Sequence, residues 1–382
     1  MTAPPVYLDH HATTPVDPRV LARMLPWFTE QFGNPHSVDH AYGWTAEEAV
    51  EAARCQVAAL IEADPREIIF TSGATEANNL ALRGLAPALA AAGRMEIIAS
   101  PLEHPCVMAC LEALAADGFT VRFLPVGAAG LVDPAEVGRL IGPATGLVTV
   151  MAANHEIGTV QPIDEIGRLT RAAGALFHVD AAQAAGKIPL AMAEIDLMTL
   201  SAHKLYGPKG IGALALRRTI RPLVKPLILG GGQEQGLRSG TVPVPLAVGF
   251  GAAAALARAE MGNEAVRLAQ LRDRLLDRLR AAGLPLHLHG DPARRLTGNI
   301  NFRVDHIDAE AIIQRVRDRV ALSTGAACAS AERTPSPVLR AIGLGETEAL
   351  EALRIGLGRG TSEADIDVAA AALIEACRDL GA

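Results

Sequence analysis

The chain has 382 residues, half of them apolar and a fifth charged, with a formal net charge of −7. That length exceeds one simple core and suits two domains, or one large domain with a smaller lobe. The acidic balance argues against non-specific binding to nucleic acid or to an anionic membrane.

The N-terminal stretch MTAPPVYLDHHATTPVD lacks a basic region followed by an apolar core. No signal peptide is expected, and a cytoplasmic location follows by default. From about residue 65 the pattern alternates. EIIF reads as a strand, and ATEANNLALRGLAPALAAAG as a helix starting after Thr71-Ser72-Gly73. MEIIAS is a strand and PCVMACLEALAADG a helix closed by Gly118; TVRFLPV and GLVTVMAAN are strands. PIDEIGRLTRAAG is a helix, and ALFHVDA, DLMTLSA and GIGALALRR are strands. Strands alternating with helices of this length imply an α/β fold with a mostly parallel sheet covered on both faces. The run VPVPLAVGFGAAAALARA is interrupted by prolines and glycines and is shorter than the ~18–20 residues of a spanning helix. The glycine-rich GGGQEQGLRSGT precedes it, and a helical stretch over 264–283 comes next. GNINFRV, AEAIIQRVRDR, VALSTGAACAS, EALRIGLGR and a final helix then read as a smaller α+β lobe. The expected division is 15–255 for a large domain, with 1–14 and 256–382 forming the small one.

In a doubly covered parallel sheet, ligands bind beyond the carboxyl ends of the strands. TSGATE, LEH, ANHEIG, HVDAAQ and SAHK all fall there and would converge on one crevice. TSGATE opens a helix after a strand, so its N–H groups and the hydroxyls of Ser72 and Thr75 suit a phosphate; the same residues also serve as ordinary helix caps. No Gly-Lys-Ser/Thr follows, and no GxGxxG sits in a strand–turn–helix unit, so nucleotide binding is disfavoured. Asp180 ends a strand, where a carboxylate can pair with a protonated ring nitrogen or simply cap a turn. Lys204, after DLMTLSAH, can form a Schiff base if it loses its proton; a lone lysine at a strand end is more often a surface charge. Together these are the parts that pyridoxal phosphate requires.

Ten segments carry a family resemblance over nearly the whole chain: YLDHHATTPVDPRV, FGNPHS, FTSGATEANNLA, EHPCV, NHEIGTVQPI, HVDAAQAAGKIP, SAHKLYGPKGIGAL, GGGQEQGLRSGT, STGAACAS and LRIGLGR. The sequence resembles the cysteine desulfurases of the class V aminotransferase group, with the pyridoxal phosphate fold type I and a seven-stranded sheet. The resemblance implies that Lys204 holds the cofactor and moves the α-proton, and that Asp180 faces the ring nitrogen. It has His104 stacking on the ring as an acid or base and Gln183 bonding the phenolic oxygen. Ala74, Thr75, Ser201 and His203 would hold the phosphate. Thr241 would reach the phosphate of the other subunit in a homodimer, and Arg354 would clamp the substrate carboxylate. Arg238 is a structural or substrate-side charge. Cys328 would take sulfur from L-cysteine as a persulfide, leaving L-alanine, and pass it to an acceptor protein such as an iron–sulfur scaffold; it is also a candidate transient iron–sulfur ligand. Cys55, Cys106, Cys110 and Cys377 are read as packing residues.

The chain departs from the family at Asn154-His155, where two asparagines are usual near the phenolic oxygen and the substrate carboxylate. A histidine there would add a pH-dependent term to substrate binding if it titrates near neutrality. A metal reading of Asp9, His10 and His11 is the weaker one, because adjacent histidines in an extended segment point opposite ways. His287 and His289 point the same way but read as a surface strand without a third ligand. The rival readings are another class V enzyme, such as a selenocysteine lyase or an aminotransferase, and a non-catalytic pyridoxal phosphate-binding partner protein.

Overall fold

A computed structural model describes residues 4–324 and 334–381. Its strands are β1 (Val6–Tyr7), β2 (Ile68–Thr71), β3 (Glu96–Ala99), β4 (Thr120–Phe123), β5 (Thr145–Thr149), β6 (Leu176–Asp180), β7 (Leu197–Ser201), β8 (Gly212–Leu216), β9 (Leu286–Leu288), β10 (Asn299–Val304), β11 (Val320–Ala321) and β12 (Ala352–Gly356). Seven of them form one sheet in the order β2-β8-β7-β6-β5-β3-β4. The strand β8 runs antiparallel to both its neighbours, and all other pairs are parallel. The expected mostly parallel seven-stranded sheet is therefore present.

Side chains alternate between the two faces, as a strand period of two requires. Ile69, Ile97, Leu147, Leu197 and Leu214 pack with the helices Ala74–Ala91 and Pro105–Ala116. Their neighbours Ile68, Ile98, Val148, Met198 and Ala213 face the opposite core, with the helices Ala41–Leu60 and Ile163–Ala172. Both faces are apolar, which is why these strands read as continuous hydrophobic runs.

The second core lies around the antiparallel sheet β12-β10-β9. Ile300, Phe302, Leu353 and Ile355 pack there against Leu8, Ile366, Leu373 and Cys377. The pair β1–β11 joins the chain's N-terminal strand to this lobe in parallel register.

The sequence reading broke one helix that the structure keeps whole. Val244–Ala281 is a single helix of 38 residues, about 57 Å long at 1.5 Å per residue. Pro245 falls in its first turn, where the missing N–H costs no hydrogen bond. Gly249 and Gly251 are contact points: a Cβ would lie 2.6 Å from Met24 Sδ at the first and 2.6 Å from Ala53 Cα at the second. By length and composition this helix could cross a membrane. Its apolar residues are shared between the two cores instead, Ala247, Phe250 and Ala254 in the first and Leu268, Leu275 and Leu279 in the second. The proposed division at 255/256 falls inside it.

Candidate active site

Five strand ends meet at one edge of the large sheet. The turns after β2, β3, β5, β6 and β7, with Ala12 and Thr13 from the N-terminal segment, line a cavity of about 450 Å³. Lys204 ends the short 3₁₀ turn that follows β7. Its Nζ donates to the carbonyls of His11 at 2.6 Å and Ala12 at 2.8 Å. Asp180 closes β6 and is buried. Its Oδ1 accepts from the N–H of Ala182 at 2.9 Å, and its Oδ2 accepts from Asn78 Nδ2 at 2.7 Å.

His104 caps the helix Pro105–Ala116, its Nδ1 accepting from the N–H of Cys106 at 3.2 Å. Its ring lies 5.3 Å from that of His155. Burial depresses the His104 pKa; Asp180 opposes this and Lys204 adds to it. At the opposite end of the cavity, Ala74 and Thr75 begin the helix Ala74–Ala91. The backbone of β8 comes close there because Gly212 has no side chain: a Cβ would sit 2.7 Å from the Gly73 carbonyl carbon. Ser201 Oγ is buried without a partner among the described residues. His203 Nδ1 lies 3.0 Å from Thr13 Oγ1, and burial lowers its pKa to about 4.

The aminotransferase class-V family profile matches residues 6–368. A human cysteine desulfurase is 49% identical over 365 residues, 95% of this chain and 79% of that protein. The cysteine desulfurase IscS of Rickettsia massiliae is 48% identical over 367 residues, 96% and 89% of the two chains. A solved NifS-like protein superposes with a TM-score of 0.91 at 34% identity, covering 98% of this chain and all of that one. The structure of SspA in complex with cysteine gives 0.80 at 37%, covering 92% and 98%. The chain belongs to the cysteine desulfurases of the class V aminotransferase family.

The desulfurase depends on pyridoxal phosphate, and its cavity suits that group. A buried carboxylate, a lysine and a neutral histidine share one space with a helix N-terminus. Two buried polar atoms on its walls, Ser201 Oγ and His155 Nδ1, have no partner among the described residues. A helix N-terminus flanked by an unengaged hydroxyl is chemically matched to a phosphate.

Several expected site residues sit differently. Asn154 does not line the cavity: its Nδ2 donates to the Leu102 carbonyl at 3.0 Å, and its Oδ1 accepts from Glu156 and Ile157 N–H groups. It shapes the turn from which His155 faces the site. His155 is held well below the ordinary histidine pKa by burial, with His104, Arg354 and Lys204 adding to it. These causes all favour the neutral ring, against the charged form that a pH-dependent term near neutrality would need. Gln183 lines the cavity, but its Nε2 donates to the His11 carbonyl at 2.7 Å and its Oε1 accepts from Lys187 at 2.9 Å. Arg354 is buried on β12, with Nη2 2.8 Å from Asp9 Oδ1 and Nη1 3.3 Å from the His155 carbonyl. Arg238 pairs with Glu76 at 2.9 Å, and Glu76 accepts from the N–H of Ser72. Thr241 is exposed and lies outside the cavity. Its loop is anchored by Glu234, which pairs with buried Arg54 at 2.8 Å and accepts from Phe70 N–H.

Cys328 lies outside the described residues. Both flanks of its segment are fastened near the site. Ser323 exchanges backbone hydrogen bonds with Arg354, and Ser336 Oγ donates to Glu156 Oε2 at 2.6 Å. Of the other cysteines, Cys110 and Cys377 are buried as expected, Cys55 is exposed, and Cys106 reaches the cavity. His10 and His11 are both buried in a turn, not an extended segment. His287 pairs with Asp305 at the surface, whereas His289 is buried against Asn301.

Sequence reasoning missed Asn78, Cys106 and Glu103. Glu103 is buried, with Oε1 accepting from Met151 N–H at 2.6 Å and Oε2 without a partner among the described residues. Burial, with the Asp180 charge adding, pushes its carboxyl from 4.5 up to about 8. The folded chain therefore holds this proton more tightly than the unfolded one. The stability it contributes is fully present below pH 4.5 and is lost as pH rises through about 8. The slope is up to about 1.4 kcal/mol per pH unit. Glu103→Gln cannot ionise and should flatten that dependence, measured as denaturant midpoints at about pH 5 and about pH 8. An unchanged difference between the two midpoints would show that Glu103 does not titrate in this window.

Proposed function

We propose that Lys204, His104, Asp180, Arg354 and Cys328 carry the conversion of L-cysteine to L-alanine. The observation that carries this reading is the convergence of Lys204 and buried Asp180 on one cavity at the strand ends. Pyridoxal phosphate, when bound, supplies an electron sink for the electron pair at the substrate α-carbon. Ala74, Thr75, Ser201 and His203 would hold its phosphate, and Gln183 and His155 would serve its phenolic oxygen. Asp180 keeps negative charge where a protonated ring nitrogen needs it. Lys204 would anchor the cofactor, and its Nζ would move the α-proton of the substrate. His104, whose Nδ1 accepts from the Cys106 N–H, would donate a proton from Nε2 and recover it there. Arg354, oriented by Asp9, receives the substrate carboxylate through its planar fork. The Cys328 thiolate attacks the substrate sulfur: an S–S bond forms, the Cβ–S bond breaks, and the electron pair stays with the carbon skeleton that leaves as alanine.

The working unit we infer is a homodimer in which Thr241 completes the partner's phosphate site. Exposed Phe28, Phe32, Tyr42 and Trp44 supply apolar surface of the kind that subunit contacts bury. The persulfide then passes to a thiol-bearing or iron–sulfur acceptor protein. A reducing compartment suits this thiol chemistry, and we place the enzyme in the cytoplasm.

Purified enzyme given L-cysteine and a reducing thiol should release alanine and sulfide in equal amounts. A keto acid in place of alanine would indicate an aminotransferase. Turnover of selenocysteine alone would indicate a lyase, and neither product would indicate a non-catalytic relative.

A further inference from the structure

The cavity holds a thiol that the proposed chemistry does not use. Cys106 is the second residue of the helix that His104 caps, and it lines the site. Its Sγ lies 3.0 Å from His104 Nδ1 and 3.2 Å from Asn78 Nδ2. The amide of Asn78 spans two acceptors, because Nδ2 donates to Asp180 Oδ2 as well.

Counting donors fixes the direction of each bond. An amide nitrogen only donates, so the sulfur accepts from Asn78. His104 Nδ1 accepts from the N–H of Cys106 and therefore carries no proton. The donor in the sulfur–imidazole contact is then the S–H, which shares the one Nδ1 lone pair with that N–H.

We propose that Cys106 is a positioning residue: its S–H donates to His104 Nδ1, holds the imidazole neutral with its proton on Nε2, and ties it through Asn78 to Asp180. The thiol is suited to this because burial, with Asp180 adding, pushes it up to about 12, so it stays protonated. The groups facing His104 are Asp180, which favours the charged ring, Lys204, which opposes it, and the ring of His155, itself held well below the ordinary histidine pKa. Glu103 adjoins it in sequence and is neutral below about pH 8.

This inference rests on the reading that His104 serves the cofactor, but its test reads the ring itself. Holoenzyme labelled with ¹⁵N-histidine, with His104 assigned through a His104→Asn variant, gives the tautomer from long-range ¹⁵N–¹H spectra. The expected result is the Nε2–H form in the wild type and in Cys106→Ser. In Cys106→Ala the lost donor no longer favours the neutral ring. Its protonation midpoint should rise by about 0.4–1 pH unit, the worth of one hydrogen bond. The acidic limb of kcat/KM should move with it and return in the serine variant. A wild-type ring protonated on Nδ1 would overturn the proposal whatever the variants do. So would an unchanged midpoint in Cys106→Ala, or serine and alanine shifting alike. If the ring behaves as stated but His104→Asn keeps full activity, the His104 role fails and the positioning stands.

Discussion

Lys204→Ala should lose the visible absorption of the lysine-bound cofactor and lose desulfuration by at least ~10²–10⁴-fold, the range for removing a proton-transfer group. The lysine sits at a strand end where its Nζ meets two backbone carbonyls, of His11 and Ala12. These acceptors orient the amine without adding a countercharge, and a carbonyl releases it more readily than a carboxylate would. Alanine leaves the cavity walls and Asp180 intact, so cofactor should still bind through the phosphate cradle. Absorbance and alanine release measured on one preparation would decide the matter. A variant that keeps both would remove Lys204 from the chemistry.

Cys328→Ser should retain cofactor binding and the colour of the enzyme while sulfide release under reductant falls to background. A hydroxyl is a poor nucleophile toward sulfur and cannot carry a persulfide. The flanks support a thiol delivered to this site: Ser323 pairs with Arg354, and Ser336 with Glu156, beside His155. Cys328 is the fifth residue after Ser323, a reach of at most about 18 Å. Cys106 is no substitute, because its proton is held at neutral pH. Substantial sulfide from the serine variant would assign the attack to another group.

What was legible in the sequence follows from period and punctuation. Strands with both faces buried, such as Leu197–Ser201, announce themselves as short apolar runs, and their ends carry the polar residues. The long helix from Val244 was misread because its glycines and prolines look like breakers. They serve close packing and a helix start, which become visible only with the partner helix present. The helix Ala41–Leu60 went unread although its alanine-rich run is helical in character. Residue types were informative where one chemistry dominates, as for Lys204 and Asp180. They were misleading where a side chain can satisfy backbone instead. Asn154 looks like a ligand residue and is a turn brace. Cys106 looks like filler, and its contacts to His104 and Asn78 depend on three elements meeting. Asn78, inside a helix beside the phosphate cradle, gave no signal of its own, since an internal asparagine is as often solvated.

The pairing of Val6–Tyr7 with Val320–Ala321 has a consequence for how the protein is made. Val6 and Tyr7 leave the ribosome well before a partner synthesised more than 300 positions later. The same leading segment supplies the carbonyls that hold Lys204 and the Asp9 carboxylate that orients Arg354. The large sheet can therefore close during translation while its cavity still lacks one wall. Until the last lobe docks, the nascent chain carries this strand and the apolar Leu8 beside it unpaired, and in that interval a holding chaperone would find a target there.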